Sequence, residues 1–228
     1  MMYLIPLVFF LLLAFLPSLW VNSVIKKNHQ PKNKFHFTGS QFAKKLLITL
    51  NIHDVKVELS IRGDHYDPKA KVIGLSNETF NNKTLSAITV SAHEVGHAIQ
   101  DFNSYKPLKW RTRLVSLIAP LEKVGAGLMV LSPISILITK IPLIGMLFIA
   151  GGLLSLFATI IIHLLTIPVE LDASFNRAIP ILFESNILNT KDRRAAKSIL
   201  LAAALTYLAA ALRSLLDVAR WWAILRRR

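Results

Sequence analysis

The chain has no cysteine. No disulfide framework can hold it, and no thiolate is available as nucleophile or metal ligand. Closed structural zinc sites commonly draw on cysteine, so a metal in this chain would have to be held by histidine and carboxylate. Acidic residues are also scarce: 13 Asp and Glu stand against 27 Lys and Arg, a formal charge of +14. In a soluble protein that excess would point to nucleic acid. Here the basic residues flank long apolar segments and form no patch interleaved with aromatics, which make up 9% of the chain, so nucleic acid is set aside as a partner. The charge reads instead as a cytoplasmic surface beside anionic lipid. Internal repeats and low-complexity tracts are absent.

What the 228 residues do contain is apolar sequence, 53% of the chain, with a mean hydropathy of +0.48. That composition fits an integral membrane protein with one domain of ordinary size and several membrane helices. Tyr3–Val21 carries no charge and is about long enough to cross a ~30 Å hydrocarbon core. It starts without Lys or Arg and shows no A-x-A cleavage site, so it reads as an anchor rather than a removed signal peptide. Lys26, Lys27, Lys32 and Lys34 follow it, which puts the N-terminus outside and the next segment in the cytoplasm. Leu114–Ile138 and Pro142–Ile167 form a membrane hairpin behind Arg111 and Arg113, returning the chain to the cytoplasmic side at Glu170. The Ala/Leu run Ser198–Leu212 is short for a span, and a crossing there would leave Arg213, Arg220 and Arg226–Arg228 outside. It is expected to pack on the domain or lie at the interface, with Trp221 and Trp222 at headgroup depth. The expected organisation is an anchor at 1–21, a cytoplasmic domain at 22–113, a hairpin at 114–169 and C-terminal helices at 170–228.

Inside residues 22–113 the polarity is mixed. Thr38 or Ser40 can cap an amphipathic helix carrying Phe42, Leu46, Leu47 and Leu50. Val55, Val57, Leu59 and Ile61 alternate with polar residues as in a half-buried strand, and Lys71–Ser76 reads as a second strand after the polar, turn-rich Arg62–Ala70. Asn82–Phe102 reads as a helix.

That helix holds Ser91–Gln100, S-A-H-E-V-G-H-A-I-Q. Residues four apart share a helix face, so His93 and His97 can aim at one ion, and Glu94 can reach a water held on it. This is the H-E-x-x-H pattern of zinc hydrolases. This chain's own His and Glu frequencies would produce it by chance in roughly half a percent of such sequences. A third protein ligand is needed. Asp101 is too far, because eight residues of helix from His93 span ~12 Å. Glu170 is the best candidate, since it emerges on the same side of the membrane; His163 and Glu122, inside apolar runs, fit bundle-facing or snorkelling roles better. Asp172 is either a partner of a ligand histidine or a helix N-cap. The rival reading is a non-catalytic membrane protein that binds partners or lipid, with zinc structural or absent.

In order along the chain, GDHYDPKAKVIGLS, SAHEVGHAIQ, TIPVELDAS and AALTYLAAAL closely resemble the neutral zinc metallopeptidases of bacterial membranes, the YugP-like family. The likeness runs from FTGSQFAKKLL onward and includes the anchor. It implies a membrane-anchored zinc protease, with His93 and His97 as zinc ligands, Glu94 as the catalytic acid and Glu170 as the third ligand. Better-known membrane zincins carry an Asp four residues after the ligand Glu; position 174 here is Ser and the acid is Asp172. The expected fold is α+β, mostly helical: an integral membrane zincin-like metalloprotease domain with about three transmembrane helices. Its cofactor would be Zn2+. Its partners would be a peptide or protein substrate, membrane proteins among them, and the lipid bilayer. It would sit multi-pass in the cell membrane with the active site on the cytoplasmic side. Lys71–Ser76 could take up an extended substrate as an added strand, and His65 and Tyr66 are candidate donors to the oxyanion.

Overall fold

A computed structural model describes residues 34–226 and isolated positions between 8 and 28. The anchor expected at Tyr3–Val21 lies largely outside those described residues, as do the side chains of Trp221 and Trp222. The described residues fall into two compact units. One lies within Phe15–Lys109 and Ile167–Thr206, the other within Met1–Ala14, Trp110–Thr166 and Tyr207–Arg228.

The first unit opens with α1 (Gly39–Thr49). Thr38 accepts the Gln41 N–H on its hydroxyl while the Gln41 side chain accepts the Thr38 N–H, a reciprocal cap that fixes where the helix starts. Three short strands follow: β1 (Lys56–Leu59), β2 (His65–Asp67) and β3 (Val72–Leu75), in the order β1-β3-β2. β1 runs parallel to β3 and β2 antiparallel to it. β2 falls where only a turn was expected, because three residues are too few to display a period of two. β3 is the central strand. Its main-chain groups are therefore engaged on both sides, which corrects the expectation that Lys71–Ser76 receives a substrate strand.

After the single-turn α2 (Asn77–Asn81) comes α3 (Leu85–Phe102). Thr84 caps its N-terminus by accepting the Ala87 N–H. Its far end closes through Ser104 N–H to the Asp101 carbonyl and Tyr105 N–H to the Gln100 carbonyl, with Ser104 at a φ of 58°, a Schellman closure. Fourteen of the 18 residues of α3 are buried, which marks it as the element around which the unit packs. Phe42 and Leu47 of α1, Ile73 and Leu75 of β3, and Ile88, Ala92 and Val95 of α3 share one core with Leu182, Ile199 and Leu200. Full burial of each such large aliphatic side chain contributes about 1.5–3 kcal/mol.

Among the described residues, three helices are long and apolar enough to cross a membrane: Lys106–Thr139, Pro142–Glu184 and Thr190–Leu216. The first, α4, carries Pro120 and Pro133 in its interior. Such breaks are tolerated in membrane helices, where neighbours satisfy the freed carbonyls. The second is α5 (Pro142–Leu171), a π-helical segment (Asp172–Ala178) and α6 (Ile179–Glu184) in unbroken succession. Within the second unit, α4 and α5 approach closely at Gly125, where an added Cβ would lie 2.0 Å from Ser155 Oγ. The third lies in α7 (Thr190–Arg226), where a shorter surface helix was expected. Counting only Ser198–Leu212 missed the turns on either side, and 27 residues give ~40 Å of helix. The early turns of α7 do pack on the first unit, through Ala196, Ile199 and Leu200.

Candidate metal centre

The centre lies within the first unit, between α3 and the end of α5. His93 and His97 stand one turn apart on α3, with ring centroids 4.7 Å apart at 77°. Glu170 occupies the last turn of α5, inside a continuous helix rather than at a free helix end. Glu170 is 2% exposed, and burying a charge is costly unless it is paired or coordinates a metal. One oxygen, Oε2, lies 3.1 Å from His93 Nε2 and 3.5 Å from His97 Nε2. Ligand atoms around a tetrahedral ion with bonds of ~2.0–2.1 Å stand ~3.3–3.4 Å apart. The two measured separations bracket that value, and the three ligand atoms all lie within 4.8 Å of one another. The residues present therefore fit a zinc ion with two imidazole ligands and one carboxylate ligand.

A second layer orients the imidazoles. Ser174 Oγ lies 3.1 Å from His93 Nδ1, and Gln100 Oε1 lies 3.0 Å from His97 Nδ1. The Gln100 amide donates to the Val169 carbonyl and to Asp172 Oδ2, both at 2.8 Å. Asp172 in turn accepts from Asn176 Nδ2 at 2.9 Å and from Arg177 Nε at 3.3 Å. Metal-bound histidines characteristically carry such partners on the far ring nitrogen. The π-helical segment brings them together, since Asp172, Ser174, Asn176 and Arg177 all belong to it. Segments of that kind recur at functional sites. Gly96 lets α3 approach it: an added Cβ would stand 2.6 Å from the Ala173 carbonyl oxygen.

Set against the residues singled out in the sequence, His93, His97 and Glu170 come together. Glu94, next to His93 in the chain, is buried on α3. Asp172 touches neither histidine; it reaches His97 through Gln100, and it lies within running helix, after Leu171 at φ −64° and ψ −42°, rather than at an N-cap. Tyr66 donates its hydroxyl to Asp101 Oδ2 at 2.7 Å, where Lys71 also pairs. His65 Nδ1 sits 3.0 Å from the Gly63 carbonyl. Gln100 and Ser174 carried no assigned role in the sequence. Their signals were spacing: Gln100 follows His97 by three residues and Ser174 follows Glu170 by four, each on the face of its ligand.

Fold and site together define a mostly helical protein with, among the described residues, three membrane-length apolar helices and a buried group of two histidines and a carboxylate that could bind a metal ion. More narrowly, the chain belongs to the family described as "Putative neutral zinc metallopeptidase", whose family model matches residues 3–226. The "Putative membrane protease YugP" of Bacillus subtilis (strain 168) is 34% identical to it over 217 residues, covering 90% of this chain and 89% of that protein. No solved structure matches the chain.

Proposed function

We propose that the chain is a membrane-bound, zinc-dependent endopeptidase with a zincin-like site built on α3 beside the three-stranded sheet. The observation that carries the reading is the buried His93–His97–Glu170 group at zinc-ligand spacing. Its family and the name of its Bacillus relative support it. His93 Nε2, His97 Nε2 and a Glu170 oxygen would hold the ion and leave the fourth position open. Zinc bound there would acidify a water and polarise a peptide carbonyl. Glu94, adjacent to His93, accepts the proton of the attacking water and passes it to the departing amine. Gln100 and Ser174 hold the two imidazoles in place, and Asp172 steadies Gln100. The substrate is a peptide or protein chain, membrane proteins included. The protein crosses the membrane several times, with the site on the cytoplasmic side; the basic residues that follow the N-terminal apolar run and precede Leu114 favour that orientation.

The test is zinc content by elemental analysis of detergent-purified wild type, Glu170→Ala and Glu94→Gln, alongside peptide cleavage. Expected are about one zinc per wild-type chain, a clear loss in Glu170→Ala, and retained zinc without cleavage in Glu94→Gln. Undiminished zinc in folded Glu170→Ala would move the third ligand elsewhere. A wild type without zinc would return the chain to the non-catalytic reading. For the orientation, a tag at Met1 should be reached only from outside the cell, and cytoplasm-only access would overturn the topology.

A further inference from the structure

The end of the Gln100 side chain meets three groups: His97 Nδ1 at 3.0 Å, the Val169 carbonyl at 2.8 Å and Asp172 Oδ2 at 2.8 Å. A main-chain carbonyl and an ionised carboxylate only accept hydrogen bonds. The amide nitrogen must therefore face Val169 and Asp172, and both of its protons are used there. The oxygen is what remains for His97, and an amide oxygen cannot donate. His97 Nδ1 must then carry a proton. The side chain has little room to do otherwise: Gln100 is fully buried, its main-chain carbonyl is locked in the closure of α3 by Tyr105 N–H, and Asp172 is itself held by Asn176 and Arg177.

His93 is treated differently. Its Nδ1 faces the Ser174 hydroxyl, which can donate or accept and so dictates neither tautomer.

We infer that Gln100 is a positioning residue that keeps the proton of His97 on Nδ1 and so presents Nε2 to the metal ion. The purpose assigned to this arrangement rests on the zinc reading above; the location of the proton does not. Its physical consequence is local. With the Nδ1 proton fixed, a neutral His97 turns a bare Nε2 toward Glu170 Oε2, 3.5 Å away. Two acceptors at that separation repel unless a cation lies between them. Without Gln100, the ring is free to carry its proton on Nε2 and donate it to Glu170, closing the site against an ion. The amide therefore removes the competing hydrogen bond that zinc would otherwise have to displace.

The experiment uses the full chain in detergent, labelled with 15N-histidine, stripped of metal with a chelator and held at about pH 8, above the ordinary imidazole range. Long-range 1H–15N correlation reads which ring nitrogen carries the proton, the His97 signal being assigned by its loss in His97→Asn. Zinc affinity is read on the same samples with a competing chromophoric chelator. The expected result is a proton on His97 Nδ1 in the wild type. Gln100→Met should move it to Nε2 and weaken zinc binding about 10–100-fold, as loss of a ligand's outer partner does. A purely packing role would leave the tautomer unmoved in Gln100→Met. A bare Nδ1 in the wild type, or an Nδ1 proton retained in folded Gln100→Met, would overturn the inference. A wild type that has the Nδ1 proton but binds no zinc would uphold the proton assignment and defeat the zinc reading.

Discussion

Gly96→Ala separates the stability of this protein from the integrity of its candidate metal centre. Gly96 lies between the two histidines on α3, in ordinary helical backbone, so its value is closeness rather than conformational freedom. A Cβ there would meet the Ala173 carbonyl oxygen at 2.6 Å, the Ala173 carbonyl carbon at 3.3 Å and Arg177 Cβ at 3.3 Å. Ordinary contact begins near 3.4 Å, so the π-helical segment must retreat from α3 by about 0.8 Å, the difference between 3.4 and 2.6. Metal sites hold their ligand distances to about ±0.2 Å, so the shift is several times what the centre tolerates. On the folding side the effects nearly offset. Alanine in place of glycine gains about 1 kcal/mol in a helix, while overpacking costs about 1–3 kcal/mol, leaving a net loss of ~0–2 kcal/mol. The variant should fold and yet bind zinc at least about tenfold more weakly, the lower end of what loosened ligand support costs. Chelator competition and thermal unfolding in the same detergent measure the two quantities side by side. A folded Gly96→Ala with wild-type zinc affinity would refute the claim that the π-helical segment and α3 must touch at this point for the centre to form.

Two further outcomes concern the polar cluster at the C-terminal end of α3. Tyr66→Phe removes a hydrogen bond to the Asp101 carboxylate and should lower stability by about 1.5–3 kcal/mol, as bonds to charged groups do. Zinc affinity and cleavage should be unchanged, and a loss of cleavage in stable protein would return Tyr66 to the chemistry. The hydrogen bond that Lys71 donates to the Asp101 carboxylate raises its ammonium above the ordinary 10.5, against a smaller opposing effect of burial. A raised cationic pKa contributes stability that is fully present below the unfolded value and is lost as pH rises through the folded one. Thermal stability should therefore hold through the neutral range and show an alkaline fall above 10.5 that is reduced in Lys71→Met; an equal fall in both would remove this pair from the explanation.

Which parts of this protein were legible in its sequence follows from the range of the forces involved. His93 and His97 could be paired from the text alone, because helix geometry relates residues four apart without reference to anything else. The same geometry excluded Asp101, and the structure engages that residue with Tyr66 and Lys71. Glu170 could be singled out because the alternation of apolar and basic segments limits where the chain can emerge from a bilayer. The strands of β1 and β3 and the C-terminal limit of α3 were likewise written in local periodicity, while α3 starts at Leu85, capped by Thr84, three residues after the expected Asn82.

Beyond that reach lay everything decided by contacts across the chain. β2 is too short to show a period, and its strand character comes from pairing with β3. The central place of β3, which leaves it no open edge, is a property of the sheet rather than of Lys71–Ser76. The length of α7 was hidden by charges that end an apolar run without ending a helix. The roles of Gln100, Ser174 and Asp172 depend on a π-helical segment that sets which side chains return toward α3. The sequence by itself determined the candidate ligand types and the histidine pair on one helix, since these rest on covalent spacing. Only the tertiary structure decided which oxygen, which ring nitrogen and which amide face one another, because hydrogen-bond direction is settled between residues 69 to 81 positions apart, and no local pattern records it.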